Sequence, residues 1–270
     1  MERAENEDLP TLSRWLDGID EHPLLWFFEH RVEGFVPPGA GYDWWNDPVL
    51  IVVEQTLEIL EAAGPAGLSA KRRAFRAYRG RGLVAFEQFM PMRTELVVAS
   101  MLAAAGRPFR FNTKAGPDLL VGDPPRFGIE ISSRRPKRLS HLATSTGPDN
   151  SPHMSPHMVA LARHVATGVL REDRKVRQAR IMPTVLIVDI SGTDLPDVRS
   201  WSTTFDPLWQ PADAFLALGA MYSSTTSRIP EIRFSVNPYA DPAVLGALAW
   251  YLDGVTALTD FADRVAALRR

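Results

Sequence analysis

Asp118 and Glu130 are the two acids best placed to hold a metal ion between them. Asp118 lies in the apolar run PDLLV at 117–121, Glu130 lies in FGIEIS at 127–132, and the turn-forming GDPP at 122–125 separates them. Two short apolar stretches around a Gly/Pro turn predict an antiparallel hairpin. With the turn centred near Pro124, residues whose numbers sum to about 248 face each other. Asp118 and Glu130 meet that condition, which puts their Cβ atoms about 5 Å apart. Ser132 shares their face, because strand side chains alternate. Two facing carboxylates repel unless a cation or a proton lies between them. A hard divalent ion such as Mg²⁺, or Mn²⁺ in its place, needs only one or two protein carboxylates. Such an ion acidifies water and neutralises charge developing on a phosphodiester. Glu95 opens the amphipathic run ELVVASMLAAA and, in the first turn of that helix, can reach the same edge as a third acid.

The elements that must position these residues follow from periodicity. PTLSRWLDGI, LLWFFEHRV and PVLIVVEQTLEILEAAG predict helices in an N-terminal region, 1–88, with Trp15, Trp26, Phe27, Phe28, Trp44 and Trp45 as packing residues. The second region, 89–270, begins with the helix at 95–105 and the strands 107–112, 117–121 and 127–132. A polar loop runs from 133 to about 156, and a helix from about 157 to 180. TVLIVDI at 184–190 is nearly all apolar, as a strand buried on both faces requires. A helix over about 211–222, a strand over 231–237 and helices within 242–269 complete the expectation. The class expected is α/β, with a mixed central sheet and a helical N-terminal region.

Pro117-Asp118, then Glu130-Ile131-Ser132, after a helix bearing Glu95, resembles the PD-(D/E)XK nuclease superfamily. That group includes restriction endonucleases, Holliday-junction resolvases and repair and defence nucleases. The resemblance covers about residues 90–190. It implies a restriction-endonuclease-like αβββαβ core and Mg²⁺-dependent hydrolysis of nucleic acid, with DNA favoured over RNA. It implies that Asp118 and Glu130 bind the ion, joined by the carbonyl of Ile131; Glu95 remains the candidate third acid. Ser132 departs from the pattern, because it stands where the family carries a lysine that orients the attacking water. Lys175 is the first candidate to replace that charge, followed by Lys137, Arg134 and Lys114. Lys175 with Gln178 is similar to the K-x-x-Q pattern that some members carry on this helix.

The net charge of −2 hides a strong asymmetry. Residues 1–62 carry −11, residues 71–180 carry +13 and residues 181–270 carry −4. A basic block between acidic ends fits a polyanionic partner, and it equally fits a basic face docked on the acidic N-terminal region. Arg134, Arg135, Lys137 and Arg138 follow the acid pair and are candidate phosphate contacts. Arg76 and Arg79, interleaved with Phe75 and Tyr78, could lie along a phosphate backbone, or the two rings could simply bury one helix face. His141, His153, His157 and His164 lie in or near the polar loop, with no third ligand at a fixed spacing. The absence of cysteine excludes disulfides and thiolate metal sites. No Ser-His-Asp arrangement, phosphate-binding glycine loop or H-E-x-x-H signature occurs. The acidic start is unlike a secretory signal and no apolar run spans a bilayer, so the expected setting is cytoplasmic with no membrane partner. Two other readings stay open. One is a nuclease-like fold that binds nucleic acid without cutting. The other is a protein-interaction module, a homodimer or a complex formed through the acidic helical region.

Overall fold

The computed structural model describes residues 9–26, 47–133, 163, 166–189, 205–222 and 231–252. Among them, α1 spans Pro10–Leu16, α2 Asp47–Ala63, α3 Leu68–Arg76 and α4 Leu83–Ala104. The strands β1 Phe109–Phe111, β2 Leu119–Val121 and β3 Phe127–Ser133 follow. Then come α5 Asp173–Ala179, β4 Thr184–Asp189, β5 Ala217–Tyr222, β6 Glu231–Val236 and α6 Pro242–Leu252. The strands form one six-stranded sheet in sequential order. β1, β2 and β3 pair antiparallel, β3, β4 and β5 pair parallel, and β5 and β6 pair antiparallel. The protein is thus α/β with a mixed sheet.

The sheet is covered on both faces, and the alternation of its central strands shows how. Ile129, Ile131, Val185 and Ile187 join the core built with α1, α2 and α4. Leu186 and Val188 point the other way, into a second core with Val169, Leu170, Ala179, Phe205, Trp209 and Phe215. Burial on both faces explains why β4 reads as a continuous apolar run.

The hairpin has the expected register: Leu119 faces Ile129 and Leu120 faces Gly128. Other expectations change. The segment at 211–222 is not a helix: its last six residues are β5. Ala, Leu and Met are good helix formers, but here they fill a strand parallel to β4 and antiparallel to β6, where packing overrides propensity. Gly219 marks the crowding, since a Cβ there would lie 2.7 Å from the Phe234 ring. The helix carrying Glu95 starts at Leu83 and runs through Pro91, so Glu95 lies in its middle, not its first turn. Pro91 removes one helix hydrogen bond, and the buried neighbours Phe89, Met90 and Met92 hold the helix together across it. The expected boundary between 88 and 89 therefore falls inside α4, and the first of the two cores draws on residues from Leu9 to Tyr251. The helix expected over 157–180 is interrupted: 166–170 is helical, Glu172 is extended, and α5 begins at Asp173. No helix among the described residues is long and apolar enough to cross a membrane.

The basic segment of α3 shows where part of the charge asymmetry goes. Arg76 donates to the carbonyls of Trp15 at 2.8 Å and Asp17 at 2.7 Å, and Arg72 donates to that of Arg14 at 3.0 Å. These carbonyls lie at the C-terminal end of α1, where helix carbonyls lack internal partners and favour cations. Arg79 donates to the carbonyls of Arg76 and Tyr78. Arg76 and Arg79, candidates for phosphate contact, here donate to the chain's own carbonyls. Glu54 serves the other end of α1, accepting from the N–H groups of Thr11 at 2.8 Å and Leu12 at 2.7 Å. Trp15 and Phe75 are fully buried and pack edge to face.

His22 is buried at the centre of this region. Its Nε2 donates to the Phe75 carbonyl at 3.0 Å, while Nδ1 accepts from the Leu24 N–H at 3.1 Å. Protonating Nδ1 would set two donors against each other, and burial pushes the imidazole pKa down to about 4. The folded state therefore favours neutral His22. Its contribution is complete above the unfolded value near 6.5 and is lost as pH falls through about 4. The expected loss is up to about 3 kcal/mol over that window. Urea unfolding of wild type and His22→Gln at pH 7 and pH 4.5 checks it, and the wild type should lose more stability on acidification than the variant.

Candidate metal centre at the edge of the hairpin

The site begins with Pro117 seated on Gly128. A Cβ at Gly128 would lie 2.3 Å from Pro117 Cγ, so only glycine lets the ring pack there. That contact carries Asp118 to the position opposite Glu130, one step beyond the last paired residues of β2. The Ile131 N–H donates to Oδ2 of Asp118 at 2.7 Å and holds the carboxylate against β3. Burial raises the Asp118 carboxyl pKa, against the opposing pull of that N–H group and of Lys175.

Glu130 is 1% exposed and points to the α5 side of the sheet. Lys175 of α5, 5% exposed, pairs with Oε1 of Glu130 and donates to the Ile131 carbonyl at 2.9 Å. Oε2 of Glu130 is buried with no hydrogen-bond partner among the described residues. Burial first, and then the charge of Asp118, push the Glu130 carboxyl up to about 7 against Lys175. The exposed Arg174 draws both carboxyls down again. Gln178, one turn beyond Lys175, donates from Nε2 to the Gly116 carbonyl at 2.9 Å and steadies the loop before Pro117. Ser132 is buried on the same strand face as Glu130.

Asp118, Glu130, Ile131, Ser132, Lys175 and Gln178 are thus brought together. Glu95 is placed differently. It sits on α4, across the sheet from Glu130, and pairs with Lys71 of α3 at 2.5 Å. Its carboxyl is pushed up to about 7 by burial, with Lys71 opposing and Asp118 adding to the rise. Among the described residues no three His, Asp or Glu side chains converge on one metal position. Glu95 is thus paired with Lys71, while the charges of Asp118 and Lys175 still act on it. Lys114 is exposed on the loop after β1. Arg134, Arg135, Lys137, Arg138 and the four loop histidines, His141, His153, His157 and His164, lie outside the described residues.

Lys71 is the residue that sequence reasoning missed. Residues 65–67 run along β1, with the Phe111 N–H donating to the Ala66 carbonyl at 3.0 Å. Gly67 makes this approach possible: its φ is +87°, and a Cβ would lie 2.9 Å from Phe111. Lys71 follows one turn later, its ammonium 5.5 Å from the centre of the Phe111 ring. A signal was present. Of the 30 basic residues only four are lysines, at 71, 114, 137 and 175, and two of them pair with site carboxylates.

The oxygens of Asp118 and Glu130 and the Ile131 carbonyl form an all-oxygen donor set, and one carboxylate oxygen is buried without a donor. That chemistry fits a hard divalent cation, which keeps water in its remaining positions. No family model, curated protein or solved structure matches this chain.

Proposed function

We propose that this protein is a Mg²⁺-dependent nuclease that hydrolyses phosphodiester bonds of nucleic acid, with DNA the favoured substrate. The observation that carries the reading is the ammonium of Lys175 lodged between the Glu130 carboxylate and the Ile131 carbonyl. Ser132 leaves the motif without its lysine, and Lys175 returns a positive charge to that place from α5. The element order α4-β1-β2-β3-α5-β4 supports a restriction-endonuclease-like core.

Asp118, Glu130 and the Ile131 carbonyl would hold the ion. When bound, it supplies charge neutralisation on the phosphate and acidifies a neighbouring water. Lys175 and the Ser132 hydroxyl orient the attacking water. Arg174, exposed on α5, adds positive charge beside the site, and Arg134, Arg135, Lys137 and Arg138 follow β3 in the sequence as candidate phosphate contacts. A placement in restriction, defence or repair would rest on the family resemblance alone.

The test is a titration of EDTA-treated protein with Mg²⁺ and Mn²⁺, read by thermal melting and by nicking of plasmid DNA. Saturation at about 100 times Kd adds about 2.7 kcal/mol, or roughly 5–10 °C for a protein of this size. Binding to duplex should also weaken steeply with salt. No thermal shift, together with no cleavage of duplex DNA, single-stranded DNA or RNA, sinks the reading. Salt-sensitive binding without cleavage would favour an inactive nucleic-acid-binding module instead.

A further inference from the structure

Lys175 stands where a divalent ion has to bind. Its ammonium contacts Oε1 of Glu130 and the Ile131 carbonyl, two of the oxygens assigned to the ion. An ion such as Mg²⁺ needs its oxygens at about 2.1 Å. Two cations competing for the same pair of buried oxygens also repel each other strongly. Entry of the ion therefore requires the ammonium to leave that position.

The structure offers it a second position. Gln178 lies three residues along α5, on the same helix face as Lys175. Its Nε2 is taken by the Gly116 carbonyl, but its Oε1 is buried with no hydrogen-bond partner among the described residues. A buried acceptor without a donor is costly, at about 1–3 kcal/mol. Side chains three apart on a helix lie about 5–6 Å apart at Cβ, well within the reach of a lysine.

We propose that Lys175 is a displaceable internal cation: it neutralises Glu130 while the metal is absent and moves its ammonium to Oε1 of Gln178 when a divalent ion enters. This rests on the metal-site reading above and adds regulation to it. The site is closed by its own lysine at low metal and opens as the free ion rises. The apparent metal affinity is the intrinsic one multiplied by the fraction of molecules in which Lys175 has left the site. Gln178 has a part in this without touching the ion.

The experiment is calorimetric titration of Mn²⁺ into the full chain, stripped with EDTA, for wild type, Lys175→Met, Gln178→Leu and the double variant. Lys175→Met should tighten binding about tenfold, by removing the competitor. Gln178→Leu should weaken binding roughly threefold where Lys175 is present and leave it unchanged in the Lys175→Met background. Loss of a charge alone would also tighten binding, but would not make the effect of Gln178 depend on Lys175. Equal effects of Gln178→Leu in both backgrounds, or unchanged or weaker binding by Lys175→Met, overturn the exchange while leaving the metal site standing. If none of the four proteins binds Mn²⁺, the metal-site reading itself fails, and the exchange with it. Should Lys175→Met not fold, Lys175→Gln carries the same comparison, because it removes the positive charge that competes with the ion.

Discussion

Asp118→Asn will leave a folded protein that gains no stability from Mg²⁺ or Mn²⁺ and cleaves DNA at least about a thousandfold more slowly than wild type. The substitution is nearly isosteric, and the Asn oxygen can still accept the Ile131 N–H that Asp118 Oδ2 accepts at 2.7 Å. The hairpin therefore keeps its geometry. What disappears is one of the two negative charges assigned to the ion. In EDTA the variant should be as stable as wild type or more so. The charge of Asp118 helps drive the Glu130 carboxyl up to about 7, and removing it lets Glu130 ionise more readily against Lys175. The signature is thus a melting temperature that is unchanged or higher without metal and unmoved with it. A variant that retains the metal-dependent rise, or cleaves at the wild-type rate, would show that Asp118 is not a ligand.

The second large effect is on stability. Lys175→Met should cost about 3 kcal/mol in metal-free protein at pH 8, because it leaves a buried carboxylate without its cation. The cost should shrink towards pH 5. The Glu130 carboxyl is already raised to about 7 in the folded protein, so the fold favours its protonated form. The stability tied to that proton is complete below the unfolded value near 4.5 and is lost as pH rises through about 7. A proton can replace the missing lysine at low pH but not at high pH. Urea unfolding in EDTA at pH 5 and pH 8, taken as the difference from wild type, isolates this effect, since the opposite contribution of His22 cancels in the difference. A deficit of equal size at both values would mean that Lys175 contributes packing rather than charge. Cleavage by the variant should be lost, even where the ion binds more tightly, because no ammonium then stands at Gln178, beside the bound ion, to orient the water.

How much of this could be read without the structure depended on how local the determining contacts were. The facing of Asp118 and Glu130 was legible because a short hairpin is set by its turn and by the period of two, both contained in about sixteen residues. Lys175 and Gln178 were legible as a pair because three residues on a helix bring two side chains to one face. β4 was legible because a strand buried on both faces has nothing but apolar residues to offer. In each case the relevant neighbours lie within one element or one turn.

The tertiary structure decided the rest, for reasons that no window of sequence contains. Ala217–Tyr222 became a strand because β4 and β6 stand on either side of it. Pro91 was absorbed into α4 because its buried neighbours outweigh one lost hydrogen bond. Arg76 found carbonyls 59–61 residues away. Lys71 reached Glu95 because Gly67 let the chain lie against β1, a pairing that no spacing in the sequence announces. Charge and residue type along the chain determined that acids and lysines would meet. Which acid met which lysine followed from contacts between distant segments, and those exist only once the sheet has closed against its helices.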